Sequence, residues 1–521
     1  MSSLPDSASP AVAWLRRDLR LDDNPVVTAA SADGRPVVVL FVLDEVSTGV
    51  IRPGAAARWW LHGSLESLAA DVAGLGGRLV LRRGAAAEVV PRLLAEVGAD
   101  RLVFARRPGR AERLVDEEVV RRARAGGVAT IELPGNLLYE PEAITTASGT
   151  PFRVFTPFWR ACRAAPRPRL PIPAPRRLVG PTISPASDPL SDWRLLPRAP
   201  DWSGGLAATW HPGEAGARAR LADFVRHGLG RYAVDRDRPD LDLCSHLSPH
   251  LAFGEISPQR IVATVEPLRD QPEGASGTDV DRFFAELGWR EFAHHVLHHV
   301  PDLATRNLQP AFDAFPWRTD DAFVEAWRRG LTGYPLVDAG MRELERTGTM
   351  HNRVRMVTAS FLIKHGLVDW RIGRAWFDDE LVDACPANNP AGWQWVAGSG
   401  ADAAPFFRIF NPVAQGEKFD PEGDYVRRFL PRLARLPNRV IHAPWTASPA
   451  ELADAGLRLG VDLPLPIVDH ARARARALAA HATMRRAAAG IEDDRPRLDL
   501  GPEASGGDRL PTGGRRRRHG D

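Results

Sequence analysis

The sequence predicts a two-domain protein of the α/β class, with a parallel-sheet domain at the N-terminus and a mostly α-helical domain behind it. Three observations predict this. Short apolar runs alternate with segments of helical period up to about residue 135; a Pro/Arg/Ser-rich stretch then breaks the pattern; beyond it the period is helical and rich in aromatics. A chain of 521 residues also exceeds a single core, since cores stop growing near about 250 to 300 residues.

In chain order, residues 1–10 read as a flexible leader. "AVAWL" (11–15), "PVVVLFVLD" (36–44), "RLVLR" (78–82), "RLVFA" (101–105) and "VATIEL" (128–133) read as strands, and 55–73, 85–97 and 110–125 as the helices between them. Residues 11–135 thus make a Rossmann-like α/β domain. The common nucleotide fingerprints are missing from it: no G-x-G-x-x-G follows the first strand, and neither of the two lysines, Lys364 and Lys418, follows a glycine as a P-loop requires. Residues 136–212, with "PRPRLPIPAPRRLVGPTISPASDP", read as a long surface connection. Residues 213–480 read as an all-helical domain on the period of "DRFFAELGWREFAHHVLHH" and "MHNRVRMVTASFLIKH". Residues 481–521 end in "GGRRRRHGD", too poor in apolar residues to fold alone, and read as a disordered basic tail.

The formal charge is only +3 and its basic side is nearly all arginine, so the placement of arginine carries more information than its number. Cys162, Cys244 and Cys385 are few and far apart, which gives neither a disulfide framework nor a Cys-x-x-Cys metal site and fits the reducing cytoplasm. No apolar run approaches the ~20 residues of a membrane span, and the start lacks a signal-peptide pattern. A soluble cytoplasmic monomer without a metal is the expectation.

Taken singly, the motifs of the helical half have modest readings. "HHVLHH" sets His294/His298 and His295/His299 four apart; with no acidic residue in the position a metalloprotease helix needs, it reads as a polar helix face. "SHLSPHLAFGEISP" reads as a helix start, Ser248 capping and Pro249 opening the first turn, a place where hydroxyls and free amides also bind phosphate. "MHNRVRM" puts Asn352, Arg353 and Arg355 within one turn, as a solvated face or a polar lining. "NNPAGWQW" puts Trp393 and Trp395 two apart.

Taken together and in order, the blocks resemble the photolyase and cryptochrome family, most closely its class I cyclobutane pyrimidine dimer DNA photolyases. "WLRRDLRLDDNPVV" resembles the opening of the family's α/β domain; "RYAVDRDRPD", "HLSPHLAFGEISP", "ELGWREF", "GLTGYPLVDAGMREL", "MHNRVRM" and "GWQWVAGSGADAAPFFRIFNPVAQGEKFDPEGDYVRRFLP" follow its flavin domain, over about residues 11–475. The resemblance implies a U-shaped FAD. Tyr232 and Cys244, Ser245, His246, Leu247 and Ser248 would hold its phosphates, with Phe283, Arg290, Arg355, Asp383 and Cys385 around it. Arg355 and Asp383 would pair beside the ring and Asn389 would sit near flavin N5. A buried reduced flavin needs such a cation and fixed dipoles to offset desolvation.

The implied activity is light-driven repair of cyclobutane pyrimidine dimers in damaged DNA, by electron transfer from photoexcited reduced FAD to a flipped-out lesion. Glu286, Trp289, Asn352, Met356 and Trp395 match the lesion pocket, and Arg236, Arg353 and Gln415 match DNA-backbone contacts. Trp317, Trp370 and Trp393 match the family's photoreduction chain. An antenna chromophore on the α/β domain is implied, 8-hydroxy-deazaflavin being preferred to methenyltetrahydrofolate on the GC-rich composition alone.

Four positions depart from the family pattern. His246 stands for an arginine, Cys385 for the second Asp of an Asp-x-Asp pair, and Phe283 and Thr349 for tryptophans. The first two forgo charge-assisted bonds, which predicts a looser hold on FAD. The alternatives are a cryptochrome-type blue-light photoreceptor without repair, a repair enzyme for the (6-4) photoproduct using His351 as acid, and a non-catalytic nucleic-acid-binding module.

Overall fold

The computed structural model describes residues 9–271 and 275–489. Five parallel strands, β1 (Ala11–Leu15), β2 (Val37–Leu43), β3 (Leu79–Arg83), β4 (Arg101–Ala105) and β5 (Ala129–Leu133), form one sheet in the order β3-β2-β1-β4-β5. Successive side chains alternate between its faces. Ala11, Ala13, Leu15, Val37, Val39 and Phe41 pack on the Ala55–Gly74 helix through Trp60, Leu61, Leu65 and Leu68. Val12, Trp14, Val38, Leu40 and Val42 pack on the Ala86–Val97 and Arg110–Ala125 helices through Val90, Leu93, Leu94 and Val119. Cover on both faces is why these strands are continuous apolar runs rather than alternating ones. A short helix over Pro25–Ala30, outside the sequence reading, starts where the Asn24 side chain accepts from the amides of Val26 and Val27, with Pro25 at the first position.

Three readings need correction. The 136–212 segment is more than a surface connection: the Phe155–Ala164 helix packs against the Gly277–His299 helix, while Leu178, Trp193, Leu195, Leu206 and Trp210 are buried in the core beneath the sheet. These anchors are isolated along the chain, so they leave no period to read. The tail does not begin at 481, because the His470–Ala488 helix runs through that point; the rest of the expected tail, like most of the 1–10 leader, lies outside the described residues. And His294 and His295 are buried in the Gly277–His299 helix rather than forming a polar face.

The helical domain is built on one large cluster that includes Trp327, Trp370, Phe377, Trp393 and Tyr425, with smaller clusters around Phe224, Tyr232 and Phe283 and around Phe158, Phe292 and Cys385. It is locked to the α/β domain by buried polar bonds. Glu255 accepts from Trp60 Nε1 at 3.0 Å and from the Ser64 hydroxyl, and bonds to His250 Nδ1. Arg20 donates to the Gly254 carbonyl at 2.8 Å. Gly254 has φ +71°, and a Cβ there would fall 1.9 Å from the carbonyl oxygen of Arg17, so the glycine of "FGEISP" is what allows the domains to close.

Candidate active site: one cavity in the helical domain

A cavity of about 700 Å³ opens in the helical domain, within the usual range for a cofactor or ligand site of about 300 to 1,000 Å³. Much of its lining comes from Tyr232 to Ser248, the Gly277–His299 helix, the Asn352–Ser360 helix, Asp383 to Cys385 and the Asn388–Ala397 helix, and the α/β domain contributes Arg16 to Asp18 and Ala105 to Pro108. Of the sequence-predicted site residues, all but Gln415, Trp317 and Trp370 line it.

The expected ion pair forms: Arg355 Nη2 lies 3.1 Å from Asp383 Oδ2, and Arg355 Nε donates to the Met350 carbonyl at 2.7 Å. Thr349, in place of tryptophan, accepts from the same guanidinium at 3.2 Å. Phe283 is buried edge-on to Tyr232, with centroids 5.5 Å apart at 90°, so the smaller ring still fills an aromatic contact. Asn389 is held by its amide nitrogen, which donates to the Arg374 carbonyl at 3.0 Å and to Asp378 Oδ1 at 2.6 Å; burial raises the pKa of that carboxyl, opposed by this hydrogen bond and by Arg374.

Two substituted positions have local partners. His246 has φ +51° and bonds through Nε2 to Asp242 Oδ1 at 2.5 Å. Cys385 is buried with Sγ 3.7 Å from His294 Nε2. Burial, with Arg290 adding to it, lowers the pKa of His294 to about 4, so the imidazole beside this sulfur is held neutral. Sequence reading missed His294 because its ring reaches the cavity only through the fold. Ser248 is the first residue of the short Ser248–Phe253 helix and does not cap it; Leu247 holds the cap position with no side-chain bond, which corrects the expected cap.

On the Gly277–His299 helix, Glu286 and Trp289 both face the cavity. Burial raises the pKa of Glu286 against the opposing pull of Arg236 and Arg282. Arg236 lies 2.9 Å from Glu286 Oε2 and above the Tyr232 ring; Arg353 lies 2.6 Å from Asp237 Oδ2 and 4.4 Å above the centre of Phe419. Neither arginine is a free side chain, and a phosphate would have to compete with Asp237 and Glu286 for them. Asn352 is exposed, with Nδ2 3.9 Å from Met356 Sδ. Trp289 stacks on Phe155, a residue sequence reading missed, at 3.8 Å and 9°.

His351 is occupied at both ring nitrogens. Nδ1 accepts from the Arg353 amide as a helix cap, and Nε2 lies 3.7 Å from Cys244 Sγ. Burial lowers its pKa to about 4, with Arg236 adding to the shift.

Trp393 lines the cavity and also belongs to the large core cluster together with Trp370, against which Trp317 packs from its partly exposed position. Gly373, three residues after Trp370, makes room for the Trp393 ring: a Cβ there would lie 2.1 Å from Trp393 Cη2.

In the α/β domain the chain order reverses between β1 and β4, where open sheets usually bind ligands. Here Arg16 lies 4.1 Å above the Trp14 ring, 3.4 Å from Asp116, and donates to the Ala105 carbonyl, while Arg107 pairs with Asp116 at 2.7 Å. The preference for a deazaflavin antenna gains no support from this arrangement.

The donor set and shape fit an anionic, largely apolar cofactor. Comparison with known proteins bears on which one. Residues 283–483 match the family model for the FAD binding domain of DNA photolyase, and residues 11–176 match the model for DNA photolyase. A deoxyribodipyrimidine photo-lyase of Agrobacterium fabrum is 48% identical over 92% of this chain and 98% of its own length. Cryptochrome-1 of Arabidopsis thaliana is 37% identical over 89% of this chain and 69% of its own. The crystal structure of a bacterial class III photolyase from Agrobacterium tumefaciens superimposes with a TM-score of 0.89 at 48% identity, covering 93% of this chain and all of that one.

Proposed function

The chain belongs to the photolyase and cryptochrome family, and from that premise we propose that it repairs cyclobutane pyrimidine dimers in damaged DNA in a light-dependent reaction, as a monomer. The observation that carries the reading is that one cavity collects the Arg355–Asp383 pair and Tyr232 together with Glu286, Trp289, Asn352, Met356 and Trp395. Cofactor-type and lesion-type residues share one space, as electron transfer over a short distance requires.

FAD, when bound, would supply the photoexcited electron. Tyr232, Ser245 and Ser248 would hold its phosphates, Arg355 with Asp383 would set the charge beside the ring, and Asn389, fixed through Arg374 and Asp378, would present a neutral amide there. Trp289, backed by Phe155, and Trp395 would stack on the pyrimidine faces. Glu286, held by Arg236 at 2.9 Å, would hydrogen-bond the edge of the base, a bond that strengthens as negative charge develops there. Asn352 and Met356 would complete the pocket edge. The occupied ring of His351 argues against the (6-4) branch, whose chemistry needs a histidine free to give a proton to the lesion.

The test is blue-light repair of a dimer-containing oligonucleotide by protein with chemically reduced flavin, beside Glu286→Ala. The expected result is repair by the wild type and a lower yield per absorbed photon in the variant with flavin retained. Absence of repair in the wild type, with flavin bound and reduced, turns the assignment to the photoreceptor.

A further inference from the structure

The His470–Ala488 helix closes the described chain, with one stripe buried and arginines spread around the exposed remainder. Ala473, Ala477, Ala480 and Met484 are buried against Phe312, Phe315, Leu367 and Phe406. Arg472, Arg474, Arg485 and Arg486 are exposed, and none of their guanidinium groups has a carboxylate partner among the described residues.

Other titratable groups pack around this helix. Buried Lys364 donates from Nζ to the Arg408 carbonyl at 2.9 Å and lies 5.2 Å from the centre of Phe406. His481 stacks on the same ring at 4.6 Å and 4°. Arg476 donates to the His365 carbonyl at 2.5 Å, and His365 Nε2 meets His470 Nδ1 at 2.9 Å. Burial and then cationic neighbours lower the pKa of His481 (Arg485, Lys364) and of His470 (Arg474). Asp320 and Asp469 are the carboxylates set among these groups.

The helix is tied to the cavity wall through one loop. Phe406 belongs to the loop that starts at Ala404, whose amide donates to the carbonyl of Trp395 in the cavity wall at 3.1 Å. Exposed Phe407 and Arg408 follow on that loop. A membrane surface is the poorer partner, because an interfacial helix needs an outward apolar face and this one has buried its apolar stripe. Unpaired arginines on a polar face fit a polyanion of regularly spaced phosphates.

We propose that the Arg472, Arg474, Arg485 and Arg486 face is a second DNA contact, gripping backbone phosphates of the duplex beside the lesion without regard to sequence or damage. The inference rests on the DNA reading of the cavity and adds a contact that none of the cavity residues makes.

The experiment measures equilibrium binding of the full-length flavoprotein to a long duplex with and without a dimer, across a salt series. The wild type is compared with a variant carrying Arg472→Ala, Arg474→Ala, Arg485→Ala and Arg486→Ala, and with the corresponding four-lysine variant. The slope of log K against log salt should fall by about two to four units in the alanine variant on both duplexes, at about 0.9 per phosphate lost. The lysine variant should keep the slope, and preference for the damaged duplex should be unchanged in both. An unchanged slope in the alanine variant overturns the inference while leaving the DNA reading intact. So does a lysine variant as weak as alanine, or a loss seen only with vesicles of anionic phospholipid. Wild-type protein that binds neither duplex removes the DNA reading itself.

Discussion

Two aromatic regions border the cavity, and they are built differently. Trp289 is half-buried and lies parallel to Phe155 at 3.8 Å and 9°, with Trp159 behind at 6.4 Å and 11°; Gly288 makes room, since a Cβ there would fall 2.7 Å from the Trp159 ring. Trp393 is buried and meets Phe377 at 5.0 Å and 81° and Trp327 at 6.1 Å and 75°. Trp289 also meets Phe292 edge to face at 6.0 Å and 76°, but a ring braced on one face and lining a cavity offers its other face to a flat ligand. A ring surrounded edge to face is a core ring, and only the part that reaches the cavity can do more than pack. The residue type is the same in both, so its role follows from its surroundings.

The largest effect expected from this contrast is on stability. Trp393→Ala should cost about 3–5 kcal/mol in equilibrium unfolding, the range for deleting a buried tryptophan, and Trp289→Ala about 1 kcal/mol. Equal costs would break the comparison. In binding the order reverses: Trp289→Ala should weaken dimer affinity by about 1–3 kcal/mol, the range for removing one base-stacking aromatic, with flavin absorbance unchanged. The conservative Trp393→Phe should leave dimer affinity alone, stop photoreduction of oxidised flavin, and still repair once the flavin is reduced chemically. A variant that repairs poorly even when reduced chemically would place Trp393 with the lesion contacts after all.

The buried region should also respond to pH where the open one does not. Burial, then Arg408, lowers the pKa of Lys364 from 10.5 to about 7. Between those values the unfolded chain binds more protons than the folded one, so the contribution of Lys364 to stability is full above 10.5, is lost as the pH falls, and is flat below about 7. Against Lys364→Met, the wild type should therefore gain stability from about pH 7 upward, by at most about 1.4 kcal/mol per pH unit. A difference independent of pH would mean that the ammonium finds water in the folded state.

Much of the fold was legible because the α/β half writes its rule locally: β1 and β2 alternate faces within a few residues, and the Pro25 helix announces itself by Asn24 even though the reading passed over it. Nearly every residue that the family blocks named lines the cavity. What they could not supply was pairing across the fold. Arg236 matched a phosphate contact, but the chain brings Glu286 to it; the Gly277–His299 histidines had a polar spacing, but Phe152, Phe158 and Cys385 come from elsewhere to cover them. Trp193 and Leu195 sat in a proline-rich stretch with no period, and only the sheet they pack under shows what they do.

Phe155 is the sharpest instance of such hidden pairing, and it yields the smallest predicted effect. The Phe155–Ala164 helix lies in the segment read as a connection, yet its first residue holds one face of Trp289, and the Phe155 amide is itself fixed by Asp402 Oδ2 at 3.2 Å. Phe155→Leu keeps an apolar side chain on that face and removes the flat partner, so the loss should be the stacking share alone, about 0.5–1.5 kcal/mol. If Trp289 is a stacking platform whose orientation Phe155 sets, that loss should appear as weaker dimer binding, of up to about tenfold, with little change in unfolding free energy. If it appears in the unfolding free energy instead, the Phe155–Trp289 pair is ordinary packing, and the distinction between the two aromatic regions is one of exposure only.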